Sequence, residues 1–588
     1  MPTPRSLTTA PHRDFDLEVV AGEWPTDISG EVLYSSPLNG HGIPYAIFDF
    51  GAICRLSLEA GTRGAAPGRF RWQSVAIDTP SKRLWERHPE VFSAGPTGYT
   101  SPFGSPNAAN TAPLPWGDRL YATWDAGRPV ELHPETLEFV SEVGHIDTWG
   151  GPSMGHANVL PFVLSSAHPV ADPERHCLWT VKLEIGAAGL VPSLVRYDRA
   201  DGTRVAHWPL EGIAFNGSIH TVSQTRDWAI LCDSGNFKPD LDEMLGGERT
   251  TTIDTEVPVW LIRKDALEGL APGTPVAPVC FTMSPPNGHY YARWDDTDGI
   301  SVVWEGMDLM DLALYLRPDD VDVNGNPIDP AAVGLYNMSM APETICEVVF
   351  DPDTGKVLEQ GVFKEDWTYN LQLSAMDWST EGMGAPTLHH VDYQGCRPGN
   401  VSARAARLYE GRIDLDRLRE ETPGALCSFE RGSMELKARW EYPDTADHIT
   451  SPAFAPRAVG SVEGASAFSG SSPGGHDGYV VQPVCNDDGL RIELFDAARV
   501  GDGPIAVLEG TNRETIPFVL HSAWSPSHYE LVDAERLTFS SELSDEALAS
   551  VPDELRAAAH EVAAQLDGSA RRPHSPRSGT GSRRPATE

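Results

Sequence analysis

The sequence predicts an all-β protein, a propeller or barrel of many short antiparallel strands, followed by a helix near its C-terminal end. Three observations lead there. The 54 glycines and 49 prolines are spread through all 588 residues and punctuate short apolar runs, as strands separated by turns require. One unit recurs: an apolar strand end, a tight polar turn, then a second strand. Long helical periodicity is nearly absent before residue 540. The repeats are imperfect, so an array of β-sandwiches fits the pattern as well.

The recurring unit appears as ELHPETLEFVSEV around Pro134, as VRYDRADGTRVAHW around Asp201 and as VVFDPDTGKVLEQ around Asp353. In such turns Asp bonds its own backbone and Gly supplies positive φ, so each marks a β-hairpin. YVVQPVC, RIELFDA and IAVLEG read as three successive strands. From Leu543 to Leu566 the pattern becomes helical, with Val551, Leu555, Ala559, Val562 and Leu566 on one face. The polar side of that helix is acidic, which favours docking on the protein itself over a membrane. The stretch SARRPHSPRSGTGSRRPATE is rich in Arg, Ser and Pro and reads as a disordered basic tail. The expected division is a flexible N-terminus (1–14), a β-domain (15–540), a helical segment (541–568) and the tail (569–588).

Bulk properties exclude several functions. A net charge of −39 argues against a nucleic-acid partner, which needs clustered Lys and Arg, and against an anionic membrane surface. The first twenty residues lack an apolar signal core, and no run of ~18 apolar residues spans a bilayer. The eight cysteines are scattered without a C-x-x-C pair. That suggests core packing rather than a disulfide framework, and a cytoplasmic location.

Nineteen histidines are uninformative by number, but four stand in compact phrases: SSAHPVADPERHCLW (His168), GSIHTVSQTRDWAIL (His220), PPNGHYYARWDDTDG (His289) and PFVLHSAWSP (His521). Each lies at a strand edge beside turn residues or aromatics. Intervals of 52, 69 and 232 residues between them do not suit a local zinc motif. They suit a propeller, in which the first strand of each blade borders a central channel and distant ligands converge on its axis.

These phrases resemble, in the same chain order, the four iron-ligand motifs of the carotenoid cleavage oxygenases. The segments GEWPTDISGEVLYSSPLNG, FDFGA, RFRWQSVAIDTPSK and ANTAPLPWGDRLYATWDAGRPVELHPETLE are similar to further landmarks of that family, so the resemblance runs from about residue 20 to 530. It implies a seven-bladed β-propeller with Fe(2+) on its axis, held by His168, His220, His289 and His521. The implied reaction is cleavage of a conjugated carbon–carbon double bond by O2 into two carbonyl products. His156, in MGHANVL, competes with His168 as first ligand because its distance from the PETLE hairpin is nearer the family's. The implied partners are O2 and an apolar carotenoid or apocarotenoid, with a stilbene as the alternative; picking up such a substrate leaves room for peripheral contact with lipid. Oligomeric state is not legible.

Three glutamates typically orient the family's histidines from behind. The positions matching them here hold Asp125, Gln372 and Ser451, so the expected site is about two charges more positive and slower to activate oxygen. A non-catalytic family member is therefore a competing reading. Where stilbene-cleaving members carry a phenol-gripping Lys, this chain has Trp124, and Tyr99, Trp124 and Trp304 are the candidate lining of a substrate tunnel. A glycoside hydrolase using a pair among Asp295, Asp296 and Glu305 is a further alternative.

Overall fold

The computed structural model describes residues 14–570 apart from 39–40, 96, 150–157, 235–239, 251–253, 308–314, 336–340, 370–371, 376–386, 446, 458–476, 517 and 527–534. His156 and the tail from residue 571 onward lie outside the described residues.

Local chemistry makes the strands. In Phe70–Ala76 (FRWQSVA) alternate residues are buried, the period-2 pattern of a half-covered strand. The predicted hairpins form. Asp351 Oδ1 accepts the amides of Asp353 and Thr354 at 3.1 and 2.9 Å, and Gly355 turns at φ +69°. That turn lays Thr344–Phe350 antiparallel to Val357–Phe363. Around Pro134, His133 Nδ1 accepts the amides of Glu135 and Thr136, joining Val130–Leu132 to Phe139–Glu142. The strands Gly478–Asn486, Gly489–Asp496 and Ala506–Gly510 pair in succession.

Among the described residues, five sheets of four antiparallel strands follow one another along the chain. They run from Ala112 to Glu142, Val170 to Pro209, Val222 to Met283, Asn287 to Phe363 and Leu373 to Glu441. A ten-stranded sheet joins the two ends of the β-region. Within it, the late strand Ser522–Ser525 pairs with the early strand Glu31–Pro37, and Phe15–Gly22 lies between Ala506–Gly510 and Phe70–Ala76.

Successive sheets pack face to face. Trp179 and Trp208 of one meet Leu231 and Trp260 of the next, and Ile230 and Val259 meet Tyr290, Trp304 and Val348 of the sheet after that. The first strands of neighbouring sheets lie side by side: Val170–Asp172 by Val222–Gln224, Val222–Gln224 by Asn287–Ala292, and Ser522–Ser525 by Ala112–Trp116. The result is a propeller-like ring of sheets whose first strands surround the axis.

The predicted C-terminal helix divides into Asp545–Ala549 and Asp553–Ala570. Pro552 accounts for the break, since it offers no amide hydrogen and clashes with the preceding turn. Val551, Leu555, Ala559, Val562 and Leu566 are all buried, against Phe50, Leu84, Phe103 and Leu160 among others. No helix among the described residues is long and apolar enough to cross a membrane.

Candidate metal centre

The four histidines stand at equivalent places in the ring. His168 and His220 lie two positions before the first strands of their sheets, Val170–Asp172 and Val222–Gln224, His289 lies within Asn287–Ala292, and His521 immediately precedes Ser522–Ser525. The backbone fixes them to one another. The amide of His168 donates to the His220 carbonyl at 3.1 Å, and the carbonyl of His168 accepts from Val222 at 3.0 Å. His521 is fixed through its carbonyl, which accepts the Ser35 amide at 3.0 Å.

One ring nitrogen from each of the four lies within 4.8 Å of the others. Ring centroids are 4.4 Å apart for His168 and His521 and 6.4 Å for His220 and His521. This spread suits one shared ion. At metal–nitrogen lengths of about 2.1 Å, opposite ligands stand roughly 4.2 Å apart.

Burial decides the protonation state. It drives His168 well below the ordinary imidazole range, and the neighbouring His521, His220 and His289 push the same way. His521 is pushed well down by burial, with His289 and His220 adding to it. His289 is lowered by burial against the opposing pull of Glu305. The Nε2 atoms of His168 and His289 are buried and meet no hydrogen-bond partner among the described residues. An unsatisfied buried nitrogen costs about 1–3 kcal/mol, and a cation at the shared point would remove that cost. Four imidazoles suit a first-row divalent ion such as iron, copper or zinc, so the residues present fit a metal.

Among the described residues, two carboxylates stand behind the ring. Asp125 receives His220 Nδ1 at 2.9 and 3.0 Å and is itself held by the Ala167 amide at 3.1 Å. Glu305 receives His289 Nδ1 at 2.9 Å and is fully buried. The sequence reading had Gln372 among these orienting groups. The structure instead has the Gln372 amide donating to the Gly306 and Thr344 carbonyls, both at 3.2 Å. In this role Glu305 was missed, being considered only as an acid of the glycosidase alternative, yet hairpin geometry could have found it. The strands flanking the Asp295–Gly299 turn set His289 directly opposite Glu305. Ser451 acts on the main chain: its hydroxyl donates to the Leu520 carbonyl at 2.6 Å, next to His521. With Glu305 counted, the expected excess of two positive charges falls to about one.

Ala112, Pro113, His168, Tyr291, Leu373, Ser374, Ser451, His521 and Ser522 line a cavity of about 20 Å³ at the histidines. About 10–15 Å³ holds one water, so a water- or dioxygen-sized molecule fits. None of the three expected tunnel residues is among those that line it. Trp304 precedes Glu305 on its strand and so faces away from the axis, into an apolar core, with its indole donating to the Pro285 carbonyl. Tyr99 is packed among Phe50, Phe92 and Trp85 and donates to the His41 carbonyl. Trp124 is buried beside Asp125. The three acids of the glycosidase alternative are each committed locally: Asp295 to Thr297, Asp296 to Thr225 and the Asp227 amide, Glu305 to His289.

A four-histidine cluster that could hold a metal ion, set within a propeller-like ring, makes this a candidate metal-centre protein, and comparison with known proteins gives the family. The family profile "Retinal pigment epithelial membrane protein" matches residues 6–526. The chain belongs to that family, the carotenoid cleavage oxygenases that its histidine motifs resemble. Apocarotenoid-15,15'-oxygenase of Synechocystis sp. is 23% identical over 273 residues, 42% of this chain and about half (51%) of the relative's length. Among solved structures, a single-site variant of Synechocystis apocarotenoid oxygenase superposes with a TM-score of 0.57 at 18% identity, covering 89% of this chain and 99% of the other. The cobalt-substituted form of that enzyme gives 0.56 at 19%, covering 88% and 97%. Lignostilbene dioxygenase of Pseudomonas brassicacearum gives 0.55 at 15%, covering 90% and 100%.

Proposed function

We propose that this protein is a non-haem Fe(II) dioxygenase that cleaves a conjugated double bond of a carotenoid or apocarotenoid, consuming one O2 and placing one oxygen atom on each of two carbonyl products. The observation that carries this reading is the convergence of four imidazoles on one point, with His168, His289 and His521 held below the ordinary imidazole range. His168, His220, His289 and His521 would hold the ion. When bound, ferrous iron supplies the one-electron chemistry that lets O2 react with an alkene. Asp125 and Glu305 accept the Nδ1 hydrogens of His220 and His289, which fixes the tautomer that turns Nε2 inward and raises its basicity. Ala112, Pro113 and Leu373 give the cavity an apolar wall that limits water beside the reacting carbons. The ten-stranded sheet is read as two blades joined by Phe15–Gly22, which makes seven blades with the five four-stranded sheets.

A second reading, a stilbene-type alkene, is favoured by the hydroxyl-bearing residues Tyr291, Ser374, Ser451 and Ser522 on the same cavity, which suit an oxygen-bearing substrate. Iron-loaded protein presented with an apocarotenoid and stilbene panel tests both, with oxygen uptake and carbonyl products as readouts. Equimolar oxygen uptake and cleavage of an apocarotenoid is expected. Cleavage of stilbenes alone would select the second reading, and no oxygen uptake with any substrate would leave a non-catalytic family member.

A further inference from the structure

Glu305 does more than accept from His289. Its second oxygen, Oε1, is in short hydrogen-bond contact with the hydroxyl of Ser374. Ser374 Oγ lies 2.7 Å from Nε2 of His389. The three residues come from two neighbouring sheets: Glu305 from Ile300–Gly306, Ser374 from Leu373–Ala375, His389 from Leu388–Tyr393.

Hydrogen-bond capacity fixes the direction of this chain. A serine hydroxyl has one proton to give, and a carboxylate only accepts. Ser374 must therefore donate to Glu305, which leaves its oxygen to accept Nε2–H from His389. His389 is buried and is held neutral, pushed down to about 3 by burial and by the nearby Arg431 and His390, so it carries a single ring proton. The alternative tautomer would aim an imidazole lone pair at Ser374 and leave Glu305 facing an oxygen with no hydrogen between them.

We infer that Ser374 and His389 are positioning residues for the metal centre: the chain His389 to Ser374 to Glu305 clamps the carboxylate that orients His289. Without the Ser374 hydroxyl, Oε1 of a fully buried carboxylate loses its partner and Glu305 can rotate, carrying the His289 ring with it. Ser374 also lines the cavity at His168 and His521, so the outer chain and the reaction space share one side chain. This inference rests on the four-histidine metal reading.

Cobalt(II) alone is the probe, titrated into the full-length metal-free protein and followed by its visible d–d absorption, with thermal unfolding measured alongside. Groups behind metal ligands typically change affinity by about 10–100-fold when removed. Ser374→Ala is expected near the lower bound, about tenfold weaker with a shifted cobalt spectrum. Ser374→Thr, which keeps the hydroxyl, should restore both. His389→Phe should weaken binding by less than Ser374→Ala, because Ser374 still donates to Glu305. Wild-type affinity and spectrum in Ser374→Ala would overturn the inference, as would a lower unfolding temperature with unchanged cobalt binding. Failure of the wild type itself to bind cobalt would instead overturn the metal reading beneath it.

Discussion

Replacing Glu305 with glutamine keeps the shape of the side chain and removes its charge. Glu305 Oε2 sits 2.9 Å from His289 Nδ1, and the residue is fully buried, so water can neither screen nor replace the contact. Hydrogen bonds to charged groups contribute about 1.5–3 kcal/mol and neutral ones about 0.5–1.5 kcal/mol. The swap therefore removes roughly 1–1.5 kcal/mol of His289's support, and about 1.4 kcal/mol is tenfold in affinity. Fe(II) binding, measured anaerobically by competition with a chelator, is expected to weaken about tenfold in Glu305→Gln with the fold intact. Gln372→Ala supplies the contrast. Its amide serves two backbone carbonyls, so losing it should cost folding stability, about 1–2 kcal/mol, without changing Fe(II) affinity. Unchanged affinity in Glu305→Gln, or a tenfold loss in Gln372→Ala, would refute the assignment of Glu305 as the group behind His289.

Two further outcomes follow from burial. His448 is held well below its ordinary value by burial and by nearby Arg397, so the unfolded chain takes up a proton below about pH 6.5 that the folded chain does not. Its share of stability is full above that pH and falls by about 1.4 kcal/mol per pH unit below it. Denaturant unfolding at pH 7 and 5.5 should show His448→Leu losing less stability than wild type, and parallel losses would contradict this. Leu555, on the C-terminal helix, is buried in the cluster that includes Leu84 and Phe103. Leu555→Ala should lower unfolding free energy by about 2–3 kcal/mol and leave metal affinity unchanged, since no residue of that helix lines the cavity; a coupled loss of metal would contradict it.

What the sequence made legible depended on whether the signal was local. The Asp351 and Pro134 turns carry their own chemistry, and both hairpins form. The four histidines are far apart in the chain, but His168, His220 and His521 sit in phrases distinctive enough to be matched singly, His289 was placed by order and spacing as much as by its phrase, and the structure brings all four together. The supporting groups behaved differently. Asp125 was found because it adjoins a well-matched segment, whereas the Gln372 placement relied on a weakly matched stretch. Glu305 required a register calculation across a turn rather than a motif, because cross-strand neighbours are set by pairing and not by sequence distance. Trp304 was named as one of several tryptophans able to line an apolar tunnel; the pleat that turns Glu305 toward His289 turns Trp304 into the core. The helix was legible from its apolar face, but Pro552 had to be given its full weight as a breaker.

The central claim is one metal ion held jointly by four histidines. Elemental analysis of the purified full-length protein beside its His220→Ala variant, both checked for fold by circular dichroism, tests it most directly. One equivalent of iron per chain in wild type and its loss in a folded His220→Ala variant is the predicted result. A wild type without stoichiometric metal, or a variant that keeps the same content, would contradict it.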